Sequence, residues 1–470
     1  MKSLSIQFIL VFFAIAAFFS ACKKDEGPDL TECEEVQERL DPVLAEGEAD
    51  FADYFTSAGN KVEDPGFTPT SITPSLSGGN FSSGTGSIVS TNYYGAIDPN
   101  GSKWYEGWSF FEQILAGGTT DKNRSAMVDG KPEMTISSNI TSNDTFTNDN
   151  VYILDGRIYV TNNATLTIEA GTVVKAKKGQ GSSATALIVS RNGKIMAEGT
   201  ATEPIIFTSV DDNLKGSATA DTRGLWGGVL LLGKARLNSG AGETAIEGIP
   251  TNETDAIYGG NDDGHSSGTM RYVSIRHTGT DIGAGNEIQG LTMGGVGSGT
   301  TIEYIESLGS NDDGYEWFGG TVNAKYLISL YNGDDALDYD EGFRGETQFV
   351  INYQDPSAEN ADRGGEHDGG TDPETGEPYS TPKFYNVTSV GNSGSRTITF
   401  RDNAGGEYHN SIFVNYGRGI DIELKDSDQD SYKQFVDGSL KLENNVFHNI
   451  GAGDQPADLF TISVDNECYQ

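Results

Sequence analysis

Basic residues, histidine and cysteine are all scarce in this 470-residue chain. Against 69 Asp and Glu stand 31 Lys and Arg, a formal net charge of −38. A phosphate-neutralising surface cannot dominate such a field, so an unaided nucleic-acid partner is excluded. The same field repels anionic polysaccharide and anionic lipid unless a cation intervenes. His265, His277, His367, His409 and His448 are scattered and the three cysteines are dispersed, so no closed zinc site has its spacing. No Gly-x-Ser-x-Gly elbow, phosphate-binding loop or dinucleotide fingerprint stands in a strand–turn–helix context. Long apolar runs are absent except for Ile6–Phe19, 14 residues, where a spanning helix needs about 20. Proline is sparse at 14 residues, and with 61 glycines the two types stay below the roughly 25–30% of a low-complexity chain. The glycine excess points to a turn-rich, all-β chain.

What is present begins with an address. Lys2 followed by a short apolar run suits a signal-peptide core. Phe19-Ser20-Ala21-Cys22 resembles a lipobox, and Lys23-Lys24-Asp25-Glu26 resembles the charged stretch behind the lipid cysteine of Bacteroidota lipoproteins. These resemblances imply a signal peptide over 1–21, acylation (palmitate) at Cys22, and an outer-membrane lipoprotein facing the cell exterior. Two or three acyl chains meet the requirement for stable anchoring. Cys33 and Cys468 remain, one near each end of the mature chain. In an oxidising compartment they either pair and tie the termini together or stay two separate thiols.

Residues 22–65 read as a lipid-anchored tether and one short helix. Thr31-Glu32-Cys33-Glu34 has capping-box spacing, Cys33, Val36, Leu40 and Leu44 recur at helical intervals, and Pro42 stops or kinks the pattern. Residues 66–145 read as an aromatic-rich N-terminal cap or linker, with Tyr93, Tyr94, Trp104, Tyr105, Trp108, Phe110 and Phe111 close together. Such rings either pack as a cap or form a sugar-stacking platform; the cap is the commoner use.

From 146 to 470 the chain becomes a series of short β-prone runs separated by Gly, Asn and Asp, with no helical stretch between them. Tyr304-Ile-Glu-Ser and Tyr326-Leu-Ile-Ser lie 22 residues apart, and Asn386-Val-Thr-Ser and Asn410-Ser-Ile-Phe lie 24 apart. That period predicts a right-handed parallel β-helix, being too short for a propeller blade. The segments GLWGGVLLLGKA (224–235), GTMRYVSIRH (268–277), GNEIQGLTMGG (285–295), NDDGYEWFGG (311–320) and GEHDGG (365–370) resemble a group of secreted or lipid-anchored bacterial proteins with a pectate-lyase-like β-helix. The resemblance implies a fold and carries no activity with it.

Equivalent positions of a β-helix stack, so Asp313 is expected beside Asp335 and Glu316 beside Asp338, with Asn286 and Glu287 one coil earlier and Asp340 and Glu341 extending the edge. Two carboxylates about 5 Å apart repel by roughly 3 kcal/mol at an effective dielectric near 20. Such a column needs protons, basic partners or a cation. Hard Ca²⁺ suits Asp312, Asp313, Glu316, Asp334, Asp335 and Asp338; the alternative is a solvated acidic face neutralised in part by Lys325, Arg344 and Arg363.

Two readings of function follow. In the first, the protein is a rigid, Ca²⁺-ordered binding or scaffold module for an extracellular polysaccharide ligand or an outer-membrane transporter. In the second it is a carbohydrate-active enzyme using Asp313, Asp335, Asp338, His367 and Arg396. The order Asn311-Asp312-Asp313, Gly333-Asp334-Asp335, His367, then Arg396 or Arg401 resembles the polygalacturonase class, whose inverting members need two carboxyls about 6.5–9.5 Å apart. Glu366-His367-Asp368 stands where that class has Gly-His-Gly, and its terminal Arg-Ile-Lys is missing. A lyase would need Arg344, Arg396 or Arg401 as base, and arginine is a poor one.

Overall fold

The computed structural model describes residues 30–469, apart from 84–85, 121–123, 247–248, 250–252, 284–285, 359–360, 371–372 and 426–428. The signal segment and Cys22 lie outside the described residues.

The short β-prone runs wind into stacked coils whose strands pair in parallel. Among the described residues they form one sheet of 17 strands and one of ten. The chain is a parallel β-helix, and the 22-residue step shows directly in its register, with Ile305 opposite Leu327 and Glu306 opposite Ile328. Side chains alternate along each strand, so every second residue enters the interior. Ile195, Met270 and Ile302 do so on one face, and Trp317, Tyr339 and Phe400 on another, all fully buried.

Several strands are longer than the sequence pattern suggests. Gly268–Arg276, Thr301–Leu308, Ala324–Leu330, Glu346–Tyr353 and Lys383–Val390 run on through a corner of the coil. Each turns it on a single left-handed residue. Tyr272, Tyr304, Tyr326, Phe349, Asn386, Asn410 and Asn444 occupy this corner in register with φ between 50° and 64°. Asparagine tolerates that conformation, whereas for an aromatic residue it costs about 1–2 kcal/mol. The offset comes from stacking: ring centroids lie 4.3 Å apart for Tyr272–Tyr304 and for Tyr304–Tyr326, and 5.0 Å for Tyr326–Phe349. Such pairs are worth about 0.5–1.5 kcal/mol beyond their burial.

The N-terminal region closes the solenoid instead of preceding it. A helix, α1 (Leu30–Ser57), spans 28 residues and carries Pro42 within it, so it is longer than the short helix expected, and Thr31–Glu34 lie inside it. Phe51 and Phe55 pack on Phe435, Phe447 and Phe460 of the last coils. Lys61–Val62 then adds a parallel strand to Val446–His448. Cys33 and Cys468 form a disulfide with Cα atoms 5.1 Å apart, joining the helix to the end of the chain.

From there residues 66–130 return along the outside of the stacked corner toward the first coil. Gly95 N donates to Asn410 O (2.8 Å), Val89 N to Gln348 Oε1 (2.8 Å), and Thr120 bridges Thr219. Trp104 packs on Tyr326 and Trp108 stands edge-on to Tyr272. Tyr94, Tyr105, Trp108, Phe110 and Phe111 are all buried against the solenoid, the packing use of this aromatic segment. Its anchor is Glu306, fully buried, whose Oε1 accepts from the backbone of Phe110 (2.7 Å) and Phe111 (3.2 Å) and whose Oε2 accepts from Ser274 Oγ (2.6 Å). Buried Arg276 supplies the opposing charge.

Removing one member of a buried charge pair leaves the other uncompensated. Glu306→Ala is expected to lower unfolding free energy by about 3–5 kcal/mol in urea titrations, with Glu306→Gln losing less because its amide oxygen still accepts.

Candidate functional site

The outer face of the ten-stranded sheet changes character along the solenoid. At its N-terminal end it is apolar: Tyr159, Ile188, Leu230, Leu232 and Phe318 are covered by Leu237, Ile246, Ile249 and Tyr258 of the excursion between Leu232 and Gly268. From the strand that carries Glu316 and Phe318 onward it becomes acidic. Thr292, Glu316, Asp338, Glu366, Thr399 and Asp421 follow one another in register, with Asp368 opposite Arg401 in the next column.

The turns before these strands stack too. Asp335 N donates to Asp313 Oδ1 (2.9 Å), and Gly314 N donates to Asp335 O (2.9 Å). The structure therefore brings Asp313 to Asp335 and Glu316 to Asp338. Asn286 and Glu287 are not one coil earlier in this register: they pair with Asp281–Gly283 in a separate hairpin. Leu291 opposite Tyr315 aligns Gln289 with Asp313, and Gln289 Nε2 donates to Asp312 Oδ2 (3.2 Å).

Among the described residues, three overlapping sets of carboxylates have oxygens within 4.8 Å of one another: Asp312, Asp313 and Asp334; Asp313, Asp335 and Asp338; and Asp334, Asp335 and Asp362. Asp313 is 5% exposed and Asp335 1%. Burial, reinforced by neighbouring carboxylates, raises Asp313, Asp335 and Asp338 well above the usual carboxylate range. Two guanidiniums relieve the edge. Arg363 Nη1 lies 3.3 Å from Asp335 Oδ2 and 2.9 Å from both Asp362 and Glu366, while Arg401 holds Asp368 through two bonds (2.7 and 3.1 Å) and reaches Glu366 at 3.0 Å. Burial pushes Asp368 up to about 7 despite the Arg401 bonds. Asp335 Oδ1 and Asp338 Oδ1 remain buried without a hydrogen-bond partner, and an orphaned buried oxygen calls for a proton or a cation.

His367 and Arg396 stand apart from this cluster. His367 sits between outward Glu366 and Asp368, so strand alternation turns it inward. It is fully buried, stacked 4.1 Å from Tyr339, with Nε2 2.7 Å from Tyr408 Oη, and burial pushes it down to about 3. It is a core residue and faces away from the carboxylates. Arg396 lies one coil beyond Arg363 and is directed to Asp421 (3.7 Å). Arg344 binds Asp263 on the excursion, also away from the cluster. Asp362 joins the acidic set unannounced by the 22-residue pattern, because the segment after Tyr353 lengthens its coil.

Residues 138–468 match the family described as pectate-lyase like beta helix domain. The chain belongs to that family. Comparison with curated proteins and with solved structures found no match. The family membership accords with the coil geometry, and a β-helix domain of pectate-lyase type is compatible with a carbohydrate-related role.

The raised carboxylates dictate a direction for stability against pH. Their folded pKa values exceed the unfolded ones near 3.8, so the folded state binds more protons and stability falls as pH rises. In chelator, Tm is expected to be highest in mild acid and to decline from about pH 4 through pH 7, where Asp368 also titrates. Calorimetric scans across that range check it, and Asp335→Asn should flatten the slope.

Proposed function

We propose that the protein is an extracellular carbohydrate-binding β-helix module whose acidic turns are ordered by one hard divalent cation, Ca²⁺. The observation that carries this reading is the Asp313–Asp335–Asp338 set, the first two buried and the third half-buried, mutually repelling, and with Asp335 Oδ1 lacking any hydrogen-bond partner. Carboxylate oxygens are the donor type Ca²⁺ prefers, with backbone carbonyls of the same turns available to complete six to eight ligands. A bound cation would neutralise the column and would let an anionic ligand approach a chain of net charge −38. Arg401, beside the cluster and 42% exposed, supports contact with a ligand acid group from the solvent side.

The membrane reading belongs with this proposal. Acylation at Cys22 would tether the chain just ahead of α1, which covers the last coils. The C-terminal end of the solenoid would then lie nearest the outer membrane and the first coils farthest from it, an arrangement suited to a surface-exposed rod that meets a polysaccharide or a transporter.

Isothermal titration of the full-length protein with Ca²⁺ and Mg²⁺ tests the cation. One Ca²⁺ is expected to bind, and Ca²⁺ at a hundred times Kd to stabilise the fold by about 2.7 kcal/mol. Asp335→Asn and Asp313→Asn should each weaken binding at least tenfold. Absence of both heat and thermal stabilisation sinks the reading.

Catalysis is a second reading, favoured by Asp368, a carboxyl lifted to about 7 next to Arg401, as a general acid requires. Reducing-end and unsaturated-uronate release from a polysaccharide panel, with and without Ca²⁺, distinguishes the two. Release that disappears in Asp313→Asn, Asp335→Asn and Asp368→Asn would make the protein an enzyme; none from folded protein leaves binding.

A further inference from the structure

A cavity lies beside the acidic face, against the first part of the excursion between Leu232 and Gly268. It holds about 480 Å³ and is lined by Asn238, Ser239, Gly240, Thr244, Glu341 and Pro373, with Ala241 at its rim. That volume accommodates one or two sugar rings. Its chemistry differs from that of the acidic cluster: among the described residues the lining is amide, hydroxyl and backbone with a single carboxylate and no basic side chain. Arg236 and Arg344, which border this part of the excursion, are both held by Asp263.

Glu341 reaches the cavity from an unusual backbone position. Gly294, Phe318 and Asp340 pair in register, so the residues that follow them, Gly295, Gly319 and Glu341, occupy one corner column. All three are left-handed, with φ of 56°, 67° and 53°. Two coils use glycine there, as that conformation favours; this coil uses a glutamate, which bears the strain. Its carboxylate is then fixed. Tyr258 Oη, on the excursion, donates to Glu341 Oε2 (2.8 Å), and Asn238 N donates to Glu341 O (2.9 Å). Ser239, the next residue along the chain from Asn238, has a buried Oγ without a hydrogen-bond partner. Asn238 Nδ2 is spent on Gly369 O, so it shapes the wall and leaves the carboxylate and hydroxyls to meet a ligand.

We infer that this cavity is a binding subsite for a neutral, hydroxyl-rich ligand, a hexose unit, with Glu341 and Ser239 as its principal hydrogen-bonding side chains. A carboxylate accepts from two adjacent sugar hydroxyls at once and Ser239 Oγ both donates and accepts. The described lining residues include no basic side chain to pair with a uronate, and Pro373 offers an apolar face to the ring. The inference rests on the carbohydrate reading of the protein but not on the cation: the subsite contains none of the residues Asp313, Asp335 and Asp338.

Saturation-transfer NMR on the full-length protein in EDTA, with D-glucose, D-galactose, D-mannose and D-galacturonate as separate probes, tests it. At least one neutral hexose is expected to give a signal and galacturonate none. Glu341→Gln, which keeps size and the Tyr258 contact, should weaken hexose binding at least tenfold with Tm unchanged. Glu341→Asn, at home in the left-handed region but too short to reach, should abolish binding in a folded protein, the relieved strain offsetting in part the lost Tyr258 bond. Ser239→Ala should weaken binding severalfold in an intact fold. No signal from any hexose, an equal signal from galacturonate, or parental binding by the variants overturns the proposal. A signal seen only when Ca²⁺ replaces EDTA belongs to the acidic cluster and overturns it as well.

Discussion

Parallel coils in register place each residue directly over its counterpart one coil away, about 4.8 Å distant, and like side chains are thereby forced together. At the left-handed corner this works in the fold's favour: Tyr272, Tyr304, Tyr326 and Phe349 stack ring on ring, and the attraction offsets the strain of the conformation. On the ten-stranded face the same constraint sets Glu316 against Asp338 and Asp338 against Glu366. There it costs energy, because each adjacent pair of ionised carboxylates repels by roughly 3 kcal/mol. Apolar or amide residues would stack at those positions without penalty. The acidic column is therefore a concession by the fold, relieved at its edge by Arg363 and Arg401 and otherwise by protons or a cation.

A solenoid also has two ends and an outer surface, and here one segment covers one end and part of that surface. The helix α1, the strand Lys61–Val62 and the Cys33–Cys468 disulfide cover the last coils. Residues 66–130 then run back along the corner, held at their middle by the buried Glu306 and Arg276. Contacts of very long sequence separation thus stitch together a structure whose coils otherwise touch only their neighbours. The aromatic segment does its work by covering the tyrosine stack, which is why Tyr94, Tyr105, Trp108, Phe110 and Phe111 are buried and Trp104 is half-buried.

How much of this the sequence discloses depends on whether a feature repeats. The 22-residue interval between Tyr304 and Tyr326 reveals the coil, and with it the pairing of Glu316 with Asp338. The alternation rule already contains the fate of His367, since its neighbours Glu366 and Asp368 cannot face outward unless it faces inward. Features that break the period are hidden. The hairpin at 281–287 shifts the apparent register, so Asn286 and Glu287 align by eye where Gln289 aligns in space. The lengthened coil after Tyr353 conceals Asp362, whereas Arg363 is legible as a neutralising partner of the acidic turns. Neither the path of residues 66–130 nor the approach of Cys33 to Cys468 has a local signature, because both are set by which end of the solenoid needs covering.

The position of the acidic face follows from where that covering stops. A sheet's outer surface must be either covered or polar. The excursion between Leu232 and Gly268 covers the coils up to Phe318, and within its footprint the outward residues are Ile188, Leu230 and Leu232. One coil later it ends, and Asp340 stands where Phe318 stood. The boundary is thus a step in both polarity and height, with a wall on one side and a charged floor on the other. Glu341 occupies that step: its backbone accepts from Asn238 of the wall while Asp340, its predecessor, lies on the floor. A strained residue at that step is held by the wall twice, Asn238 N donating to its carbonyl and Tyr258 Oη to its carboxylate, and the step is rigid for that reason.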